Sequence, residues 1–381
     1  MVSTRARQAG GASELWSIAV ADPRRRALPC ETMKHTSRSP SSRLGPARAI
    51  LLTGVGKRYD IVSAFAQHTT VIAADPSPLA PAQYAAHVRV APPRIDDPGY
   101  VPFLAEICAR HDVGAVIPLT DLDIEVLAQA RADGVLPSLV PDPEIARATY
   151  DKYETHHLLL RHGLPSPPTV LPGEEPVSYP VMIKPRRGSG ARSIHLAHDA
   201  EEAAFFVKYV KEPTMVQRAM DGPEFSMDCL SDLDGRCLNA IPRTMLESRG
   251  GESIKGAPLD DPELVELGRR VVEALGVRGP CTVQAFRDRE IGLGITDVNT
   301  RFGGAFSAPM YAALPGRTYP ELIVRMASGE RVEPHVGEFV AGRHFTRYYW
   351  QLELDEQMRP TGRDIVPGGP PPPSTTPGSS S

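Results

Sequence analysis

Residues 179–196 read YPVMIKPRRGSGARSIHL: one strand delivers Lys184, a loop carries Gly188, Ser189 and Gly190, and a second strand returns. Glycine lets backbone N–H groups turn toward an anion and approach it closely, and lysine adds a point charge, so a triphosphate is the natural guest. The strand–loop–strand setting separates the stretch from a Walker loop, which opens a helix and needs GxxxxGK[ST]. Taken alone, a glycine-rich hairpin beside a lysine is more often a plain tight turn.

Two downstream segments change that balance. Residues 296–304 read TDVNTRFGG, and Gln284 stands about a dozen residues upstream on the preceding strand. Asp297 and Asn299 are separated by one residue, so on a strand both side chains leave the same face, within reach of Gln284 on a neighbouring strand. Three oxygen donors suit hard Mg2+, which takes few protein ligands and leaves the rest of its shell to phosphate oxygens. Arg301, on the same parity, would meet a phosphate or acyl-phosphate oxygen. Residues 216–228, VQRAMDGPEFSMD, supply a strand, a short link and a second strand carrying Glu224. Backbone groups of an extended link can pair with a purine edge, and a carboxylate can accept ribose hydroxyls.

Upstream, short β-branched runs alternate with helical periodicity, the pattern of an α/β domain with parallel strands. AILLT at 49–53 is a buried strand ending in Gly54 and Gly56, with a helix around 60–67, a strand at 70–74 closed by Asp75, a short strand at 88–90, a helix at 100–110, a strand at 114–119 and a helix at 121–131. GVGKRYD is not GxGxxG, so a structural unit without a nucleotide is the favoured reading. A helix over 151–161 stops at Gly163 before the Pro-rich link 165–168, where a domain boundary fits. Beyond it, strands are expected at 180–184, 193–196, 214–218, 224–229, 279–286 and 292–298, and helices at 262–275 and 318–327. That is an α+β arrangement.

Composition narrows the function classes. The 381 residues are enough for two or three domains. Forty-two basic against forty-six acidic residues give a net charge of −4, so nucleic acid and anionic membrane surfaces are not expected partners. No run approaches the roughly 18 apolar residues of a membrane span, and a cytoplasmic location is expected. Five scattered cysteines without a CxxC pair read as buried free thiols. Residues 1–47, rich in Arg, Ser, Ala and Pro, and the Pro/Ser-rich residues 360–381 are expected to be disordered tails.

In combination, the order and spacing of the three segments resemble the ATP-grasp superfamily, in particular the ATP-binding half of the carbamoyl phosphate synthetase large subunit and small carboxylate–amine ligases. The resemblance covers roughly residues 48–330, including DPGYVPFLAEIC and VIPLTDLDIEVLA in the N-terminal unit. It implies a Rossmann-like pre-ATP-grasp domain at 48–150, a two-lobed ATP-grasp domain at 151–335 and an extension at 336–359. It implies that Lys152 and Lys184 contact ATP phosphates under a loop containing Gly188, Ser189 and Gly190. Adenine would lie near Gln217, Arg218 and Met220, with the ribose on Glu224. Mg2+ or Mn2+ would sit on Gln284, Asp297 and Asn299, with Arg301 and Lys184 stabilising the transferring group. Arg243 and Lys255, in IPRTMLESRGGESIKG, match more loosely a loop that holds substrate or the transferred phosphate. Where the family usually has Glu-x-Asn-Pro-Arg, this chain has Asp297-Val298-Asn299-Thr300-Arg301, and Gln284 stands where many members use Glu. The implied reaction phosphorylates a carboxylate and lets an amine attack the acyl phosphate, releasing ADP and phosphate, in a protein that is often a homodimer. The alternatives are a carboxyphosphate-forming activity and a catalytically silent ATP-binding regulatory protein.

Overall fold

The computed structural model describes residues 48–362 apart from 177, 189–192, 250–251, 305–307 and 349. The expected tails at 1–47 and 363–381 therefore lie outside the described residues. Residues 360–362, counted with the tail from the sequence, belong instead to a hairpin: Leu354 bridges Pro360, and the Thr361 amide donates to the Glu353 carbonyl at 3.1 Å.

The first sheet contains β1 (Ala49–Thr53), β2 (Val71–Ala74), β3 (Val88–Val90) and β4 (Val113–Pro118), all parallel, in the order β3-β2-β1-β4. Side chains alternate between its two faces, and both faces are apolar because both are covered. Leu51, Ile72 and Val116 pack with α2 (Tyr100–His111), α3 (Ile124–Ala132) and α4 (Pro143–Tyr150). Ile50, Leu52, Val71 and Ile117 pack with α1 (Tyr59–Ala66) and with a helix from far down the chain, α9 (Tyr319–Ala327). This second layer also contains Leu230, Ile241 and Phe302, so the N-terminal sheet shares one core with residues far down the chain. Asp75 accepts from the Gly56 amide at 2.8 Å and the Ser77 amide at 2.9 Å. Its carboxylate is committed to its own turn, in keeping with the structural reading of GVGKRYD.

The seam with α9 is tight. A Cβ at Gly114 would lie 2.4 Å from the Ala327 carbonyl oxygen. Gly114→Ala is expected to lower stability by about 1–3 kcal/mol, the usual cost of overpacking. A thermal midpoint equal to wild type would contradict this contact.

α5 (Lys152–Arg161) begins at Asp151, whose side chain accepts from the Tyr153 and Glu154 amides and so caps the helix. After the Pro-rich link come β5 (Thr169–Val170), β6 (Val181–Pro185), β7 (His195–Ala197), α6 (Ala200–Tyr209) and β8 (Thr214–Arg218), with the strands in the antiparallel order β5-β8-β6-β7. This small lobe has its own core of Val181, Ile183, Ala197, Ala203 and Val216.

The large lobe is a second antiparallel sheet, β10-β9-β13-β14, from β9 (Glu224–Ser231), β10 (Cys237–Thr244), β13 (Gly279–Asp288) and β14 (Gly292–Asn299). Its apolar face, with Met227, Cys229, Ala240, Cys281 and Val283, packs on α5 and on α7 (Pro262–Ala274). Between β10 and α7, β11 (Glu247–Arg249) and β12 (Glu252–Gly256) form a hairpin, and β15 (Phe345–Thr346) adds a third strand to it. A short helix α8 (Ala308–Ala312) leads toward α9. Cys108 is half-buried, and Cys229, Cys237 and Cys281 are buried, all of them free. No helix among the described residues is long and apolar enough to cross a membrane.

Candidate functional site

The face of the large-lobe sheet opposite α7 is polar. Partners directly across antiparallel strands share a face, and the register aligns Arg243, Ser226, Gln284 and Asp297 in one row and Ile241, Asp228, Thr282 and Asn299 in the next. The three oxygen donors expected from sequence, Gln284, Asp297 and Asn299, thus stand together. Gln284 donates through Nε2 to Glu224 Oε1 at 3.4 Å, which leaves its amide oxygen for other use.

Facing them from the small lobe is Lys184, whose Nζ donates to Gln217 Oε1 at 2.8 Å. Gln217 in turn donates to Thr169 Oγ1 at 3.0 Å, so its buried amide aims the lysine. Burial pushes the Lys184 ammonium down to about 8; Asp297 and Glu224 oppose that shift and Lys152 adds to it. Burial likewise raises Glu224, against the fields of Lys184 and Arg243. These shifts tie residues from both lobes into one electrostatic unit.

The root of the glycine loop is fixed from below. Lys152 Nζ donates to the Gly188 carbonyl at 2.7 Å, and the Lys152 amide donates to the Arg186 carbonyl at 2.8 Å. Asp151, besides capping α5, holds Arg186 through an Nε to Oδ1 bond of 3.0 Å. Gly188 has φ +122°, a conformation that requires glycine. Ser189 and Gly190 lie outside the described residues.

Several expected contacts are placed differently. Arg218 is paired with Glu290 at 2.7 Å and Asp288 at 3.5 Å, bracing the link between the lobes. Met220 lies on that link, its Cε 2.6 Å from where a Cβ at Gly294 would stand. Arg243 is buried, its Nε 2.6 Å from Asp228 Oδ2, while Thr282 Oγ1 donates to the other Asp228 oxygen at 3.0 Å. Lys255, on the β11–β12 hairpin, is paired with Glu247 at 2.6 Å. Arg301 donates to Asp121 Oδ2 at 2.8 Å and to Asn299 Oδ1 at 3.2 Å.

The contacts to Arg301 and Gly303 bring in residues that sequence reasoning did not select. Asp121 follows β4 of the N-terminal sheet, and Arg58 from the GVGKRYD turn donates to the Gly303 carbonyl. The first domain therefore closes the site from one side. A small cavity of about 50 Å3 is lined by Lys152, Gly188, Asp297 and Asn299 together with residues of the α3–α4 surface. Among the described residues no group of three or more His, Cys, Asp or Glu is placed to hold a metal ion.

Comparison with known proteins finds matches to two parts of the chain. The family model described as "PylC-like, N-terminal domain" matches residues 50–135, and "ATP-grasp in the biosynthetic pathway with Ter operon" matches residues 210–347. An uncharacterized protein of Sinorhizobium fredii is 25% identical over 65% of this chain and 56% of its own length. The carbamoyl phosphate synthase large chain of Clostridium botulinum is 27% identical over 33% of this chain, which spans only 13% of that protein. A D-alanine–D-alanine ligase of Petrotoga mobilis is 26% identical over 50% of this chain and 74% of its own length. In fold, the chain is similar to the biotin carboxylase domain of the 2-oxoglutarate carboxylase of Hydrogenobacter thermophilus, solved as a dimer with MgADP and bicarbonate (TM-score 0.61, 17% identity, 78% of this chain and 73% of that one). The chain therefore carries an ATP-grasp domain behind a PylC-like N-terminal domain.

Proposed function

We propose that this protein is an ATP-dependent carboxylate–amine ligase that forms an amide through an acyl phosphate, releasing ADP and phosphate. The observation that carries the reading is the convergence of Lys184, Lys152 and the Gly188 turn from one side with Gln284, Asp297 and Asn299 from the other. The ligase among its relatives supports the same reaction class. One carboxylate and two amide oxygens are few ligands for a bare cation but suit Mg2+ or Mn2+ arriving with a triphosphate. When bound, the metal would neutralise phosphate charge. Lys152 and Lys184 would hold the phosphates, Arg301 would meet the acyl-phosphate oxygens, and the site would act by positioning and charge compensation. Adenine and ribose are assigned to the lobe link near Gln217, Arg218, Met220 and Glu224. A homodimer and a cytoplasmic location belong to the same reading.

The test is an ADP-release screen of carboxylates against amines with Mg2+, starting with amino acids. Stimulation that needs both an organic acid and an amine supports ligation. Stimulation by bicarbonate alone assigns a carboxyphosphate-forming enzyme instead, and tight ATP binding without ADP under every mixture assigns a silent nucleotide-binding protein.

A pH experiment tests Lys184. The free-state ammonium titrates near 8, and a bound triphosphate stabilises its charged form, so nucleotide binding takes up a proton above that pH. ATP affinity is expected to be level below about pH 7 and to fall above pH 8, approaching tenfold per unit. Lys184→Met should bind weakly with a flat profile over the same range. Calorimetry that finds the two profiles parallel would remove the lysine from the phosphate site.

A further inference from the structure

Part of the cavity lining is not assigned to the nucleotide in the proposed reading. It comprises Asp121, Leu122 and Glu125 at the head of α3, Ala146 and Tyr150 on α4, and Thr300 just past β14. Two carboxylates line it, Asp121 from the bend before α3 and Glu125 from the first turn of α3. Each is fixed through one oxygen, Asp121 Oδ2 by Arg301 at 2.8 Å and Glu125 Oε1 by Arg147 at 2.9 Å. The second oxygen of each makes no hydrogen bond among the described residues.

Thr300 supplies an independent sign of a ligand. It is 2% exposed, and its Oγ1 has no hydrogen-bond partner. An orphaned buried hydroxyl costs about 1–3 kcal/mol. At a cavity wall that cost is recovered when a guest brings the missing donor. A group able to donate to two carboxylate oxygens and a hydroxyl at once, while carrying positive charge, is a primary ammonium with three N–H donors. Leu122 and Ala146 give it an apolar flank for a short aliphatic body.

We propose that Asp121, Glu125 and Thr300 form the seat of the amine substrate, which is a primary alkylamine entering as its ammonium ion and giving up one proton to solvent before the free amine attacks the acyl carbon and phosphate leaves. This assignment rests on the ligase reading, because Asp121 touches Arg301 and so puts the seat beside the place where the acyl phosphate would form. It also gives the Asp121–Arg301 pair a purpose beyond stability: the N-terminal domain sets the distance between the two reacting partners.

Two measurements on the full chain separate the seat from the ligase reading. Mg·ATP affinity by calorimetry should be the same in wild type, Glu125→Gln and Thr300→Val. Binding of n-propylammonium, followed by saturation-transfer NMR with and without a non-hydrolysable ATP analogue, should be saturable in wild type. It should weaken at least tenfold in Glu125→Gln and severalfold in Thr300→Val, and neutral n-propanol should not bind. No transfer to n-propylammonium at about 0.1 M, equal binding in both variants, or preferential binding of propionate would overturn the seat. Absence of ATP binding in wild type would sink the ligase reading, while the arm without nucleotide still reports on the seat.

Discussion

Replacing Asp297 by Ala is expected to reduce ATP turnover by about a hundredfold to a thousandfold, the range seen when one preorganised charge-stabilising group is removed. Of the three oxygen donors Gln284, Asp297 and Asn299, it alone carries a charge. Its loss acts twice, because Asp297 also raises the Lys184 pKa against burial, and without it the lysine would lose more of its charge near neutral pH. A polar strand face tolerates such a change, so circular dichroism and the thermal midpoint should stay near wild type. ADP release in the presence of a competent carboxylate and amine is the readout. Turnover within a factor of three of wild type would displace the metal and phosphate site from this face.

Arg243→Ala is expected to act in the opposite way, on stability before chemistry. The guanidinium and the Asp228 carboxylate are both nearly dry, and removing one member of such a pair costs about 3–5 kcal/mol by leaving a buried charge uncompensated. The same carboxylate is anchored by Thr282, and Tyr319 donates to the Asp228 carbonyl at 2.7 Å, so the damage would spread to the start of α9. Urea unfolding should show the loss, and the double variant Arg243→Met with Asp228→Leu should recover most of it. If Arg243→Ala instead unfolds like wild type but loses turnover, the residue belongs to the phosphate site, as the sequence pattern suggested.

The surroundings of Arg243 show where pattern ends. IPRTMLESRGGESIKG is matched to a loop only by resemblance. In the structure Pro242 sits in β10, which is an edge strand and can tolerate a residue that donates no ladder bond. Once β10 is a strand, its register with β9 turns Arg243 toward Asp228, a consequence of pairing that no local signal carries. The helix α4 was missed for a lesser reason: Asp142 followed by Pro143 and Glu144 is an ordinary helix start that went unused.

What was legible had local causes. Lys184, Gly188 and the Asp297/Asn299 pair follow from strand parity and glycine chemistry, and Asp151 from its place before a helix. The rest depended on long-range contacts. The bonds of the Gln217 amide to Lys184 and Thr169 could not be read from its place in the lobe link. Asp121, Glu125 and Arg58 gave no signal of their own, because an acid after a strand is usually solvated. The docking of the first domain against Arg301 and the Gly303 turn is what engages Asp121 and Arg58, and Glu125 is held by Arg147 of α4.

The return of α9 to the first sheet also bears on how the chain comes into being. Ile323, Leu322 and Met326 cover the face of β1 and β4 that α1 leaves bare. During synthesis the N-terminal strands emerge more than two hundred residues ahead of the helix that clothes them. The ribosome must therefore release most of the polypeptide before that surface dries, and a fragment cut at the end of α4 would reach the solvent with an oily flank that invites chaperones and self-association.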